Sequence, residues 1–113
     1  MKKIEAFIRV RKLDEVRRAV VECGIEGMTI TDVHGYGREK PDIETYRGVE
    51  QPLEFVQRAK VEVVVSDEQV DRVVHAMLDS AQTGQVGDGR ILVSNLAEVV
   101  SIRTGETAAA ALV

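Results

Sequence analysis

From Lys3 to Val10 apolar and polar residues alternate, with Ile4, Ala6 and Ile8 against Lys3, Glu5 and Arg9. That is the period of a half-buried strand. Leu13, Val16, Val20 and Cys23 then recur at three- and four-residue steps, with Asp14 and Glu15 in the first turn, where a helix dipole favours acids. Gly24 stops this helix and Gly27 lies just beyond it. Met28 to His34 is rich in β-branched residues and predicts a second strand. Val61, Val63 and Val65 alternate with Lys60 and Glu62, predicting a third over Lys60–Val65.

Ser66-Asp67-Glu68-Gln69 fits a capping box, a hydroxyl at the N-cap with Gln three residues later. Val70, Val73, Val74, Met77, Leu78 and Ala81 follow on one helical face. Gly84 to Gly89 breaks that pattern, and Ile91-Leu92-Val93 starts a fourth strand. A short extra strand is expected over Val99–Arg103, and Thr107–Val113 reads as a tail. The order, strand-helix-strand twice over, predicts an α+β fold, a ferredoxin-like βαββαβ sandwich, in one domain spanning 1–113.

The connection from His34 to Arg58 is out of proportion. Loops longer than about 12–15 residues are uncommon in compact domains and usually functional or disordered. It holds Gly35, Gly37, Pro41, Gly48 and Pro52, and it offers Arg38, Glu39, Lys40, Glu44, Tyr46 and Arg47 to a partner. A long, mobile β-hairpin of no consequence is the blander reading, and these side chains count against it.

Composition narrows the field. Apolar residues make up 44% and charged residues 30%, ordinary for a folded domain. A net charge of −4 argues against nucleic acid as the main partner, since phosphate neutralisation needs surplus Lys and Arg. One cysteine, Cys23, allows no intramolecular disulfide. No stretch approaches the roughly 18 apolar residues of a membrane span, and no signal peptide opens the chain, so a cytoplasmic protein is expected.

Candidate chemistry centres on Thr83-Gly84-Gln85-Val86-Gly87-Asp88-Gly89-Arg90. Its glycines permit positive φ and close approach to a ligand, successive amides of such a turn can form an anion-binding nest, and Arg90 adds a cation at the exit. The stretch is equally readable as a tight structural turn. It is no Walker A loop, lacking the Lys-Ser/Thr ending and leading into a strand instead of a helix. Arg103 beside Gly105, and Arg38 beside Gly35-Tyr36-Gly37, repeat the pairing of glycine with arginine; each arginine fits an acid or a phosphate. Three such sites point to a phosphate-bearing ligand. His75 reads as a partly exposed helix residue, His34 as a strand-end residue, and Cys23 as a buried, inert thiol. With no nucleophile-base pair, no zinc spacing and no general base beside the loop, an enzyme such as a slow ATPase is disfavoured.

Together these segments resemble the PII signal-transduction family over nearly the whole chain. Met1–Ala6 and Lys12–Val16 look like its opening strand and helix, and Gly35-Tyr36-Gly37-Arg38 with Tyr46-Arg47-Gly48 like its T-loop, here about 37–55. Ala81–Gly84 followed by Gly87-Asp88-Gly89 resembles the B-loop, about 82–90. Ile102-Arg103-Thr104-Gly105-Glu106 resembles the C-terminal signature within about 101–113.

The resemblance implies a homotrimer with ATP and ADP competing in clefts between subunits, and 2-oxoglutarate and Mg²⁺ joining ATP. The T-loop would then bind or release enzymes or membrane transporters of nitrogen metabolism. By position, Gly87, Asp88, Gly89, Arg90, Arg103 and Arg38 would meet phosphates. Phe7, Thr29, Glu62 and Val64 would surround the adenosine, with Gly35 and Gly37 at the same site. Glu39, Lys40 and Arg58 would meet 2-oxoglutarate, with Glu39 reaching the metal. No tightly bound cofactor is implied.

Several positions depart from the family pattern. Gln51 stands where a modifiable tyrosine is common and Val49 where some members have a phosphorylated serine, so neither modification is expected. Glu39 replaces a glutamine, Arg58 and Arg90 replace lysines, and Ser101 replaces an arginine. These departures suit an alternative, a divergent PII-like sensor of ADP or AMP and another small anion such as bicarbonate, serving carbon uptake. They also predict weak 2-oxoglutarate binding.

Overall fold

The computed structural model describes residues 1–36 and 56–107. The expected T-loop with Gly37, Arg38, Glu39 and Lys40, and the last residues of the tail, lie outside the described residues.

Strand β1 spans Lys2–Arg9, helix α1 Leu13–Glu22, β2 Thr29–Gly35, β3 Val56–Val65, α2 Val70–Ala81 and β4 Arg90–Asn95. Short 3-10 turns, Val10–Lys12 and Asp67–Gln69, lead into the two helices. The sheet order is β2-β3-β1-β4, and every neighbouring pair is antiparallel. This is the split arrangement expected of a βαββαβ sandwich, with the two strands flanking each helix separated by one other strand.

Registers show why each residue faces as it does. Ile4, Ala6 and Ile8 of β1 stand opposite Val63, Val61 and Ala59 of β3, and all six are buried. Helix α1 brings Val16 and Val20 to this face, and α2 brings Val73, Met77 and Ala81. At roughly 25 cal/mol per Å² of apolar surface removed from water, this layer is the main force holding helices to sheet. The capping box forms as expected: Gln69 Oε1 accepts the Ser66 backbone N–H at 3.0 Å.

The opposite face of the sheet carries no helix. Lys3, Glu5 and Phe7 lie there beside Lys60, Glu62 and Val64, half-buried and knitted by ion pairs. Lys3 meets Glu5 at 3.5 Å, and Lys60 meets both Glu5 and Glu62 at 3.7 Å. The lysines separate Glu5 from Glu62, which stand directly opposite one another and would otherwise repel.

Three expectations need correction. The third strand begins at Val56, not Lys60, because Val56–Ala59 pair with Asp32–Gly35 of β2, and Arg58 and Ala59 also with Arg9 and Ile8 of β1. No strand covers Val99–Arg103. Ser101 N–H bonds to the Glu106 carbonyl at 2.8 Å and Gly105, at φ 72°, bonds back to the Ser101 carbonyl, so the chain closes into a turn with one bridge, Val100 to Thr107. Cys23 is half-buried, since α1 ends at Glu22 and Cys23 occupies the C-cap. There the Arg72 guanidinium donates to the Cys23 carbonyl at 2.9 Å, satisfying a helix-end acceptor.

Candidate functional site

Helix α2 ends where Gln82 turns extended, and residues 83–89 carry the chain to β4. This loop is held from inside by one carboxylate. Asp88 accepts the Thr83 N–H at 2.8 Å, the Gly84 N–H at 2.9 Å, the Thr83 hydroxyl, and Arg9 Nε at 3.2 Å. The Thr83 hydroxyl and amide stabilise the ionised form most, helped by Gly84 and Arg9, and hold the carboxyl well below the usual carboxylate range. Arg9 also donates from Nη2 to the Val86 carbonyl at 2.9 Å.

Gly84, Gly87 and Gly89 all take positive φ, 86°, 100° and 105°. At Gly89 the requirement is also steric. A Cβ there would lie 2.9 Å from the Phe7 carbonyl carbon and overlap the carbonyl oxygen outright. The glycine therefore lets the loop's end settle onto β1, where Arg90 pairs with Phe7. The Arg90 guanidinium then sits over the Phe7 ring, 5.5 Å from its centre, a cation–π contact worth about 0.5–1 kcal/mol when exposed.

Two hollows collect most of the predicted residues. A cleft of about 270 Å³ is lined by Phe7, Gly35, Arg58, Gly89 and Arg90, together with Val33, His34 and Tyr36. A groove of about 650 Å³ is lined by Thr29, Glu62 and Val64 with the Gly24–Met28 segment. By register, Phe7, Glu62, Val64, Thr29, Arg58 and Arg90 all belong to the helix-free face, so the sheet brings them onto one surface. Arg103 lies in the exposed turn after β4 and lines neither hollow. Asp88 turns its carboxylate into its own loop, leaving the exposed Arg90 at the loop's exit as the group suited to an anion.

Arg9 escaped the sequence reading. Alternation places it on the helix-free face like any solvated cation, but it is 3% exposed because the glycine loop folds over it. His34 and Tyr36 are exposed and line the smaller cleft, a role no local signal showed. His75 is exposed on α2. No helix among the described residues is long and apolar enough to cross a membrane.

A split antiparallel sandwich with a carboxylate-braced glycine loop, opening beside an arginine-lined cleft, defines a small α+β domain with a candidate anion site. Comparison with known proteins is specific. The family described as Nitrogen regulatory protein P-II matches residues 1–106. The chain is 52% identical over 107 residues to a nitrogen regulatory protein P-II of Rhizobium meliloti (strain 1021), covering 95% of this chain and 96% of the relative. It is 55% identical over 106 residues to the protein of that name from Microchaete diplosiphon, covering 94% and 95%. A relative of the same name from Klebsiella oxytoca is 50% identical over 112 residues, 99% and 100% of the two chains. The chain belongs to the P-II nitrogen regulatory protein family, a family of signalling regulators by name and not of catalysts.

Proposed function

We propose that this chain binds ATP and ADP competitively on the helix-free side of its sheet, as a homotrimer with sites in clefts between subunits. Residues 37–55 report the bound state to an enzyme or membrane transporter of nitrogen metabolism in the cytoplasm. The observation that carries this is the glycine loop: already braced by Asp88, it leads directly to Arg90, which is stacked on Phe7. A phosphate chain laid along the loop would gain charge-assisted hydrogen bonds worth about 1.5–3 kcal/mol each. A base or ribose would lie over the apolar and carboxylate groups of Phe7, Glu62 and Val64. Arg103 faces solvent in one chain, so its part in the site requires a second copy. The names of the relatives favour nitrogen over carbon metabolism.

For the effector, Arg58 lines the cleft beside Arg90 and would meet a dicarboxylate such as 2-oxoglutarate, with Lys40, Glu39 and Mg²⁺ completing that site. Calorimetric titration of the purified protein with ATP and ADP, with and without Mg²⁺ and 2-oxoglutarate, tests the reading. Saturable heat with both nucleotides is expected. No heat with either at millimolar concentration refutes it.

A further inference from the structure

We propose that Arg9 is the positioning residue of the glycine loop: acting with Asp88, it sets the loop's shape before any ligand arrives and thereby sets affinity for the phosphate part of a nucleotide. The inference rests on the nucleotide reading above and adds to it a residue that need not touch the ligand.

Arg9 closes β1, 3% exposed, and its guanidinium reaches two points of a loop nearly eighty positions away in sequence. Nε holds the Asp88 carboxylate at 3.2 Å and Nη2 holds the Val86 carbonyl at 2.9 Å. These anchors flank Gly87, whose φ of 100° is one of several conformations a free glycine would sample. The Val86 side chain is 86% exposed, so hydrogen bonding and not packing holds the loop's apex. Asp88 carries the tie onward, since it also accepts the Thr83 and Gly84 amides. Arg9 thus fixes apex and exit, and Asp88 joins exit to entrance.

The pair also solves an electrostatic problem. A carboxylate within a loop meant for phosphates would repel them. Directed inward against a buried guanidinium, its charge is offset where screening by water is weak. A lysine at position 9 restores the charge but lacks the fork that reaches two acceptors at once.

The test uses the full chain with Arg9→Met, Arg9→Lys, Asp88→Asn and the Arg9→Met/Asp88→Asn double variant. In ligand-free protein, amide hydrogen exchange across residues 83–89 should quicken in Arg9→Met and less so in Arg9→Lys, with β3 and α2 unchanged. Affinity for ADP should fall about tenfold in Arg9→Met, equivalent to about 1.4 kcal/mol, while affinity for adenosine holds. The double variant should lose less than the sum of the two single losses, because the Arg9–Asp88 link is common to both. Unchanged exchange in the loop overturns the proposal. So does a loosened loop with ADP affinity within about twofold of the parent, or an equal loss for adenosine, which would mark a general structural role. If the parent binds no nucleotide, the nucleotide reading has failed and the exchange data alone decide whether Arg9 shapes the loop. Should Arg9→Met not fold, Arg9→Lys and Asp88→Asn carry the same comparison.

Discussion

Gly89→Ala is the substitution for which the structure gives the sharpest expectation. Two costs add. The first is conformational: φ of 105° is a region that side-chain-bearing residues rarely occupy, at about 1–3 kcal/mol. The second is steric. The new methyl would press into the Phe7 carbonyl and stand 3.5 Å from Ile8 Cα, backbone atoms that cannot rotate away. Forcing extra volume into a packed place costs about 1–3 kcal/mol more. The sum, about 2–6 kcal/mol, is a large part of the 5–15 kcal/mol that a domain ordinarily has. Gly84→Ala is the internal control, because Gly84 shares the positive φ of 86° but a Cβ there meets nothing within 4 Å. It should cost the conformational part alone. In urea unfolding at one fixed protein concentration, with a slope of about 1.5 kcal/mol/M, the Gly89→Ala midpoint should drop by about 1–4 M and Gly84→Ala by roughly half that or less. Protection of the Arg90 amide, paired with Phe7, should fall only in Gly89→Ala. Equal midpoints for the two variants, with Arg90 still protected, would refute the claim that close packing on β1 is what requires a glycine.

Other expectations are as direct. Asp88 has a folded-state pKa depressed below its unfolded value, so the stability it lends is present above the unfolded carboxylate range and is lost only as pH falls through the lower folded value. Carboxyl carbon shifts followed by NMR should show Asp88 still ionised at pH 4; a midpoint at the ordinary aspartate value near 3.9 contradicts the bracing described above. Met77→Ala, at a fully buried position between α2 and the sheet, should lower stability by about 2–5 kcal/mol in the same urea assay, and a loss under about 1 kcal/mol would place Met77 outside the core. Glu39 adds a negative charge where the family has glutamine, so 2-oxoglutarate should bind the Mg-ATP form weakly and Glu39→Gln should tighten it; tight binding unchanged by that substitution defeats the expectation.

Most of the fold was legible because burial is written in periods. Ile4, Ala6 and Ile8, or Val61, Val63 and Val65, alternate cleanly, and the α2 face recurs over three turns. The pattern failed where a residue's partner is distant or its apolar surface small. Val56 to Ala59 joined β3 unnoticed because Ala59 is a weak apolar signal and Arg58 a cation, although both are buried. Conversely, Val99 to Ile102 has β-branched residues but, among the described residues, only the single Val100–Thr107 bridge. Ile102 is fully exposed there, and the positive φ of Gly105 folds the segment back on itself.

The glycine loop shows the same limit within the site. In sequence, Gly84, Gly87 and Gly89 are alike and Asp88 reads as one more group for a phosphate. In the folded chain their tasks separate. Gly84 stands in open space, Gly87 lies between two anchored residues, and Gly89 is pressed against the β1 backbone. Asp88 braces the loop with its carboxylate turned inward, toward Arg9 and the amides of Thr83 and Gly84. That inward bracing could not be read locally, because one of its partners is Arg9, whose own spacing marks it as a solvated strand residue. Only the folding of the loop over β1 buries the cation, and the buried cation in turn offsets the charge of an acidic residue inside the candidate anion site. The chemistry of the loop therefore belongs to a contact between the first strand and the last connection of the sandwich, which the β1–β4 pairing creates.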